Sequence, residues 1–137
     1  MKILVAMDDS TFAQKALETA VETARRAGAS ELFILSVVPQ LGAHDEMIPR
    51  LMERLKRDAQ KVVENAAEKA ARSNIRARTV IEEGVSPADN IVGFAAEHTV
   101  DLIVVGHRGK ANLEKFLLGS VAMHTVSHAP CSVLVVK

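Results

Sequence analysis

The sequence predicts one α/β domain: a five-stranded parallel sheet covered by helices on both faces. Three observations carry this. Short apolar runs alternate with segments whose apolar residues recur at helical spacing. Two of the runs, 32–38 (LFILSVV) and 101–106 (DLIVVG), are continuous rather than alternating, as expected of strands buried on both sides. No linker, tandem repeat or low-complexity segment divides the 137 residues, so 1–137 reads as a single domain with one core.

Each element has a local cause. The first strand, 2–7, stops at Asp8-Asp9-Ser10-Thr11, a polar turn able to cap a helix. From 12 to 27, Ala13, Ala16, Leu17, Ala20, Val21, Ala24 and Ala27 mark one helical face, and Gly28 ends it. After the second strand, residues 39–44 form a break. Met47, Leu51, Leu55, Ala59, Val62, Ala66 and Ala70 then trace a long helix that ends near Arg72, with Pro49 in its first turn. Its opposite face offers Glu46/Arg50 and Glu53/Arg57 at four-residue spacing, each pair worth a few tenths of a kcal/mol. Residues 75–81 (IRARTVI) alternate arginine with smaller or apolar residues, which predicts a strand near a sheet edge. Ser86-Pro87-Ala88-Asp89 opens a helix running to about His98, with Ser86 as cap and Pro87 at the first helical position. The strand 101–106, a glycine-rich loop, a helix over 120–127 and a strand over 132–136 complete the chain.

Composition excludes several function classes. Lys plus Arg (17) equals Asp plus Glu (17), so nothing global steers the protein to nucleic acid or to an anionic membrane, which leaves only a local patch. Phenylalanine is the sole aromatic, four times, too few for a base-stacking platform. A single cysteine, Cys131, forbids an internal disulfide and suits a reducing compartment. The N-terminus turns acidic and polar after six residues, unlike a signal peptide, and no apolar run approaches membrane-spanning length. The expectation is a cytoplasmic protein.

Polar or glycine-rich loops follow only the first and fourth strands. Ligands of an open parallel sheet bind beyond the carboxyl ends of its strands, where strand order reverses. If those two strands are central neighbours, Asp8 and Gly106 face one crevice. Gly119-Ser120 opens a helix whose first N–H groups favour an anion. The glycines match neither GxxxxGK[ST] nor GxGxxG. On their own they are either a phosphate site or tight turns with an ordinary helix cap.

The full spacing is more telling. Gly106, two residues, Gly109, nine residues, then Gly119-Ser120 resembles the ATP-binding signature of the universal stress protein family. The resemblance extends from 3-ILVAMDDS-10 through 101-DLIVVGHRG-109 to 118-LGSVAMHTVSHAPCSVLVV-136. It implies the strand order 3-2-1-4-5 and a bound ATP, AMP or ADP with Mg²⁺. By matching position, Ala6, Met7 and Asp8 wall the adenine and ribose, and Val38 offers backbone to adenine. Gly106, Arg108 and Gly109 form the near side of the ribose-phosphate loop, and Gly119, Ser120 and Val121 the phosphate-binding helix start. Asp9 stands where the family often has glycine; with Asp8 it places two carboxylates near the phosphates, which Mg²⁺ would reconcile. His107 replaces a frequent Ser or Thr, and Ser132 a frequent Pro.

Each residue also has a plainer reading. Asp8 could cap the first helix, Asp9 could be a solvated turn residue, and Arg108 and Lys110 could be solvated loop charges. His124 and His128 are four apart, a metal-pair spacing, but the sequence offers no third ligand at a characteristic interval. Cys131, without a CxxC, reads as a small buried hydrophobe. The last strand is apolar and blunted only by Lys137, so antiparallel pairing with a second copy through 132–136 is expected. A phosphoacceptor domain is excluded because 82-EEGVSP-87 lacks the required aspartate. No triad, general-base pair or metal-water site emerges. The reading is therefore a nucleotide-dependent sensor or interaction module with at most slow ATP hydrolysis; the alternative is a dimeric scaffold of the same fold that binds no nucleotide.

Overall fold

A computed structural model describes residues 1–41, 47–108 and 118–137. The chain alternates β1 (Lys2–Ala6), α1 (Thr11–Ala27), β2 (Glu31–Pro39), α2 (Met47–Arg72), β3 (Ala77–Gly84), α3 (Pro87–Glu97), β4 (Leu102–Gly106), α4 (Ser120–His128) and β5 (Ser132–Val136). All pairings are parallel, in the order β3-β2-β1-β4-β5. The fold is the expected one, and β3 is an edge strand with a half-exposed face.

The order puts β1 and β4 side by side at the centre, where apolar residues are covered above and below. On one face Ile3, Val5, Ile34 and Val104 pack with Leu17 and Ala20 of α1 and Val63 and Ala66 of α2. On the other, Leu4, Leu35, Ile103 and Val105 pack with Ile91 and Phe94 of α3 and Ala122 of α4. A fully buried Leu or Ile contributes roughly 1.5–3 kcal/mol, so these two layers supply most of the folding drive.

Helices α1, α2 and α3 end alike. A left-handed residue follows each, and the N–H after it reaches back to the last turn: Ala29 to Ala24 (2.9 Å), Ile75 to Ala70 (3.0 Å) and Val100 to Ala95 (2.9 Å). Gly28 (φ 59°), Asn74 (φ 62°) and Thr99 (φ 53°) occupy the left-handed positions. This explains why β3 starts at Ala77 rather than at the predicted Ile75: the N–H of Ile75 closes the end of α2.

The expected starts of α1 and α3 are present. The N–H of Ala13 donates to Ser10 Oγ at 3.1 Å, and that of Asp89 to Ser86 Oγ at 3.4 Å. The Glu53–Arg57 ion pair is not formed; an exposed pair gains too little to hold two long side chains together. Glu46 lies outside the described residues. Among the described residues no helix is long and apolar enough to cross a membrane.

Candidate functional site

A cleft of about 620 Å³ opens at the carboxyl rim of the sheet between β1 and β4. Its position follows from strand order: chain leaving β1 turns into α1 on one face, and chain leaving β4 leads to α4 on the other. The rim therefore splits at this point.

One side is polar. Asp8 and Ser10 from the β1–α1 turn line it, with Gly106 at the end of β4, Arg108 after it, and Gly119, Ser120 and Val121 at the start of α4. The Asp8 carboxylate accepts the N–H of Ser10 through Oδ1 at 2.8 Å, and Ser10 itself caps α1. Asp8 is thus held in a short turn beneath the cleft rather than serving as the cap. Arg108 is only 6 % exposed.

The start of α4 is positioned by backbone. The N–H of Gly119 donates to the His107 carbonyl at 2.9 Å, and the N–H of His107 donates to the Val136 carbonyl at 2.7 Å. These bonds tie α4 to the ends of β4 and β5. Gly119 precedes the helix in extended conformation and supplies no side-chain cap. The first N–H groups of α4 therefore point towards the cleft without a protein hydroxyl or carboxylate from the capping position.

The other side is apolar. Leu35, Val37 and Pro39 of β2 form it with Pro87 and Ile91 of α3 and Val105 of β4. The reading of the chain missed this wall, because only the strand order reveals that β2 and α3 flank the cleft. Its available signal was the period-two face Leu35–Val37. Val38, the residue named instead, is buried and absent from the lining. Its side chain shares the sheet face of Ile34, and only its backbone adjoins the lining residues Val37 and Pro39.

Of the remaining candidates, Ala6 and Met7 line the cleft, whereas Asp9 is exposed and does not. Gly109 and Lys110 lie outside the described residues. The glycine at 106 has a cause not foreseen: its Cα is approached closely by the main chain of Phe12 in α1.

Beside the cleft, His124 Nε2 meets Asp89 Oδ1 at 2.8 Å, linking α4 to α3, and its ring stacks on His128 at 4.3 Å. Among the described residues no group of three His, Cys, Asp or Glu could hold a metal ion. Cys131 is half-buried against the α3–α4 layer; burial, and then the Asp101 carboxylate, push its thiol pKa up, which makes it less nucleophilic.

Comparisons with known proteins agree with this geometry. The model of the universal stress protein family matches residues 1–137. Universal stress protein YxiE of Bacillus subtilis is 36% identical over 147 residues, covering 99% of this chain and 98% of that protein. The structure of universal stress protein UspA from Lactobacillus plantarum superposes with a TM-score of 0.88 at 33% identity, covering 100% of this chain and 97% of that one. Two further structures hold nucleotides. A universal stress protein from Archaeoglobus fulgidus is in complex with dAMP (TM-score 0.78, 24% identity, 100% and 98% covered). A family protein from Arabidopsis thaliana has AMP bound (TM-score 0.74, 23% identity, 100% and 91% covered). The likeness to these two is one of fold.

Proposed function

We propose, from the premise that the chain belongs to the universal stress protein family, that its cleft binds an adenine nucleotide (ATP, or AMP and ADP) and that the protein works as a nucleotide-dependent sensor or interaction module. One observation carries the reading. An uncapped helix start, a carboxylate and a buried arginine line one side of a cleft whose other side is apolar. A nucleotide has the same division, with a flat apolar base at one end and phosphates at the other. The nucleotides held by similarly folded proteins support it.

In this arrangement the base rests against Leu35, Val37, Pro39, Pro87 and Ile91, with main chain of Ala6, Met7 and Val38 at its edge. Asp8, with Oδ1 engaged by Ser10, accepts a ribose hydroxyl through Oδ2. Ser120 and Val121 offer main-chain N–H groups and the Ser120 hydroxyl to the phosphates; Gly119, whose own N–H is held by the His107 carbonyl, leaves their approach open, and Arg108 offers charge. Mg²⁺ commonly takes one or two carboxylates together with phosphate oxygens; Asp8 would hold it in place of the ribose hydroxyl, because its Oδ1 is engaged by Ser10. Asp9 lies at solvent and outside the lining. Asp8 is the one carboxylate among the described lining residues, and no histidine joins it, so hydrolysis is at most slow.

We further propose that two copies pair through β5. That strand closes one edge of the sheet, and Leu134 on it is 38 % exposed, as Met123 and Val126 of α4 are also exposed. Sedimentation velocity tests this: the wild type runs as a dimer and Leu134→Lys as a monomer, whereas a monomeric wild type contradicts it.

Native mass spectrometry of the purified protein, with and without Mg²⁺, tests the main reading. Bound adenine nucleotide, or its uptake on addition of Mg·ATP or AMP, is the expected result. Empty protein that stays unliganded at millimolar nucleotide contradicts it and leaves a scaffold of the same fold.

A further inference from the structure

The seam between α3 and α4 is closed at the surface by a bond outside the cleft lining. Within the seam, Ala122 packs among Ile91 and Phe94. At its outer edge His124 Nε2 meets Asp89 Oδ1 at 2.8 Å, with the two side chains 39% and 69% exposed. Thr125, Ser127 and His128 instead turn back on their own helix, each donating to the carbonyl four residues earlier. His128 also stacks on the His124 ring and backs it from the far side of the pair.

Both partners stand close to the cleft. Asp89 lies between Pro87 and Ile91, which line its apolar side. His124 follows Ser120, which lines the polar side, by one turn on the same face of α4. That helix has nine residues and no side-chain cap, so packing against its neighbours sets its position. The pair thus joins the wall that α3 supplies to the helix whose start supplies the opposite wall. Few other charges face it. Glu97 is at the far end of α3, roughly 12 Å from Asp89 along the axis. Strands β4 and β5 carry none, with Asp101 before the first and Lys137 after the second. Lys110, Glu114 and Lys115 lie outside the described residues.

We infer that Asp89 and His124 are positioning residues for the nucleotide, holding the two walls of the cleft at the separation that the ligand spans. The inference rests on the cleft being the nucleotide site. An imidazole changes charge between about pH 5 and 8, and a charged ring bonds a carboxylate more strongly than a neutral one. The tie is therefore firmer at acid pH, and nucleotide affinity follows it. A tie favours the binding-competent arrangement by no more than its own strength. For an exposed ion pair that limit is about two- to fivefold in affinity.

Calorimetric titration with AMP at about pH 6 and about pH 8 tests the inference. Wild type is expected to bind about two- to fivefold more tightly than His124→Ala at the lower pH, and the ratio shrinks at the higher. The AMP phosphate itself titrates at about pH 6, alike for both proteins, so the ratio removes it. His124→Arg, a cation at both pH values, holds the larger ratio throughout. Asp89→Asn keeps an acceptor without charge, and in that background the ratio loses its pH dependence. Circular dichroism of each variant checks the fold. Equal affinity of wild type and His124→Ala at both pH values overturns the positioning role and leaves the cleft reading standing. A pH-dependent ratio that survives Asp89→Asn also overturns it, since His124 then acts on the phosphate directly. AMP binding by none of these proteins contradicts the cleft reading and this inference together.

Discussion

Gly106 is packed directly beneath Phe12: a Cβ built on the glycine lies 2.9 Å from the Phe12 carbonyl carbon and 3.0 Å from its oxygen. The first turn of α1 therefore crosses the end of β4 closely enough to forbid a side chain there. This crossing brings the Asp8 turn and the end of β4 to the same rim. Because the obstacle is main chain, it cannot swing aside. Gly106→Ala is expected to cost about 1–3 kcal/mol in urea unfolding and to weaken nucleotide binding by displacing α1. Unchanged stability contradicts the close crossing.

Gly119 differs from Gly106 in kind. Its backbone (φ −63°, ψ 155°) is one that any residue adopts, so no left-handed conformation demands glycine there. A branched side chain would stand at the mouth of the phosphate cradle. Gly119→Val is expected to lose nucleotide affinity at least tenfold, with circular dichroism checking that the variant stays folded. Calorimetry showing equal affinity for the variant places the phosphates elsewhere.

Thr99 closes α3 in the left-handed conformation, where a β-branched residue is strained. Gly28 does the same task after α1 without that cost. Thr99→Gly is expected to stabilise the protein by about 1 kcal/mol, measured as a shifted urea midpoint. A lower midpoint means that the threonine side chain contributes more than its backbone strain costs.

Glu22 accepts hydrogen bonds from Arg25 Nη2 at 2.6 Å and Arg26 Nε at 2.7 Å. Those bonds, led by Arg25, hold its pKa down to about 2 from 4.5. A lowered folded-state pKa stabilises above the ordinary value and loses that effect as pH falls through the lowered one. Glu22→Gln is expected to melt slightly below wild type at neutral pH, with the gap closing towards pH 2. The gap is small because the pair is exposed. A gap that stays constant with pH rules out the ion pair as its source.

Much of this fold was legible because local signals agreed. Continuous apolar runs marked β2 and β4, Ser10 and Ser86 marked helix starts, and Gly28 marked an end. Residue 75 was misjudged because its β-branched side chain suits a strand while its N–H is claimed by Ala70, a bond that no periodicity reveals. The polar half of the cleft was legible from unusual residues after two strands. The apolar half was not, because Val37 and Ile91 look like ordinary core until β2 and α3 are placed beside β1. Gly106 was legible only in part: its place after an apolar strand suggests the cleft that it lines, but no pattern reveals the close approach of Phe12.

The most direct measurement is a titration of ¹⁵N-labelled protein with AMP and with Mg·ATP, following backbone amides. The largest shifts are expected at Gly119, Ser120 and Val121, with Asp8 and Gly106 moving in step and the α2 amides unmoved. Saturating nucleotide that leaves the α4 start unshifted, or moves only residues away from the β1–β4 rim, contradicts the assignment of the cleft.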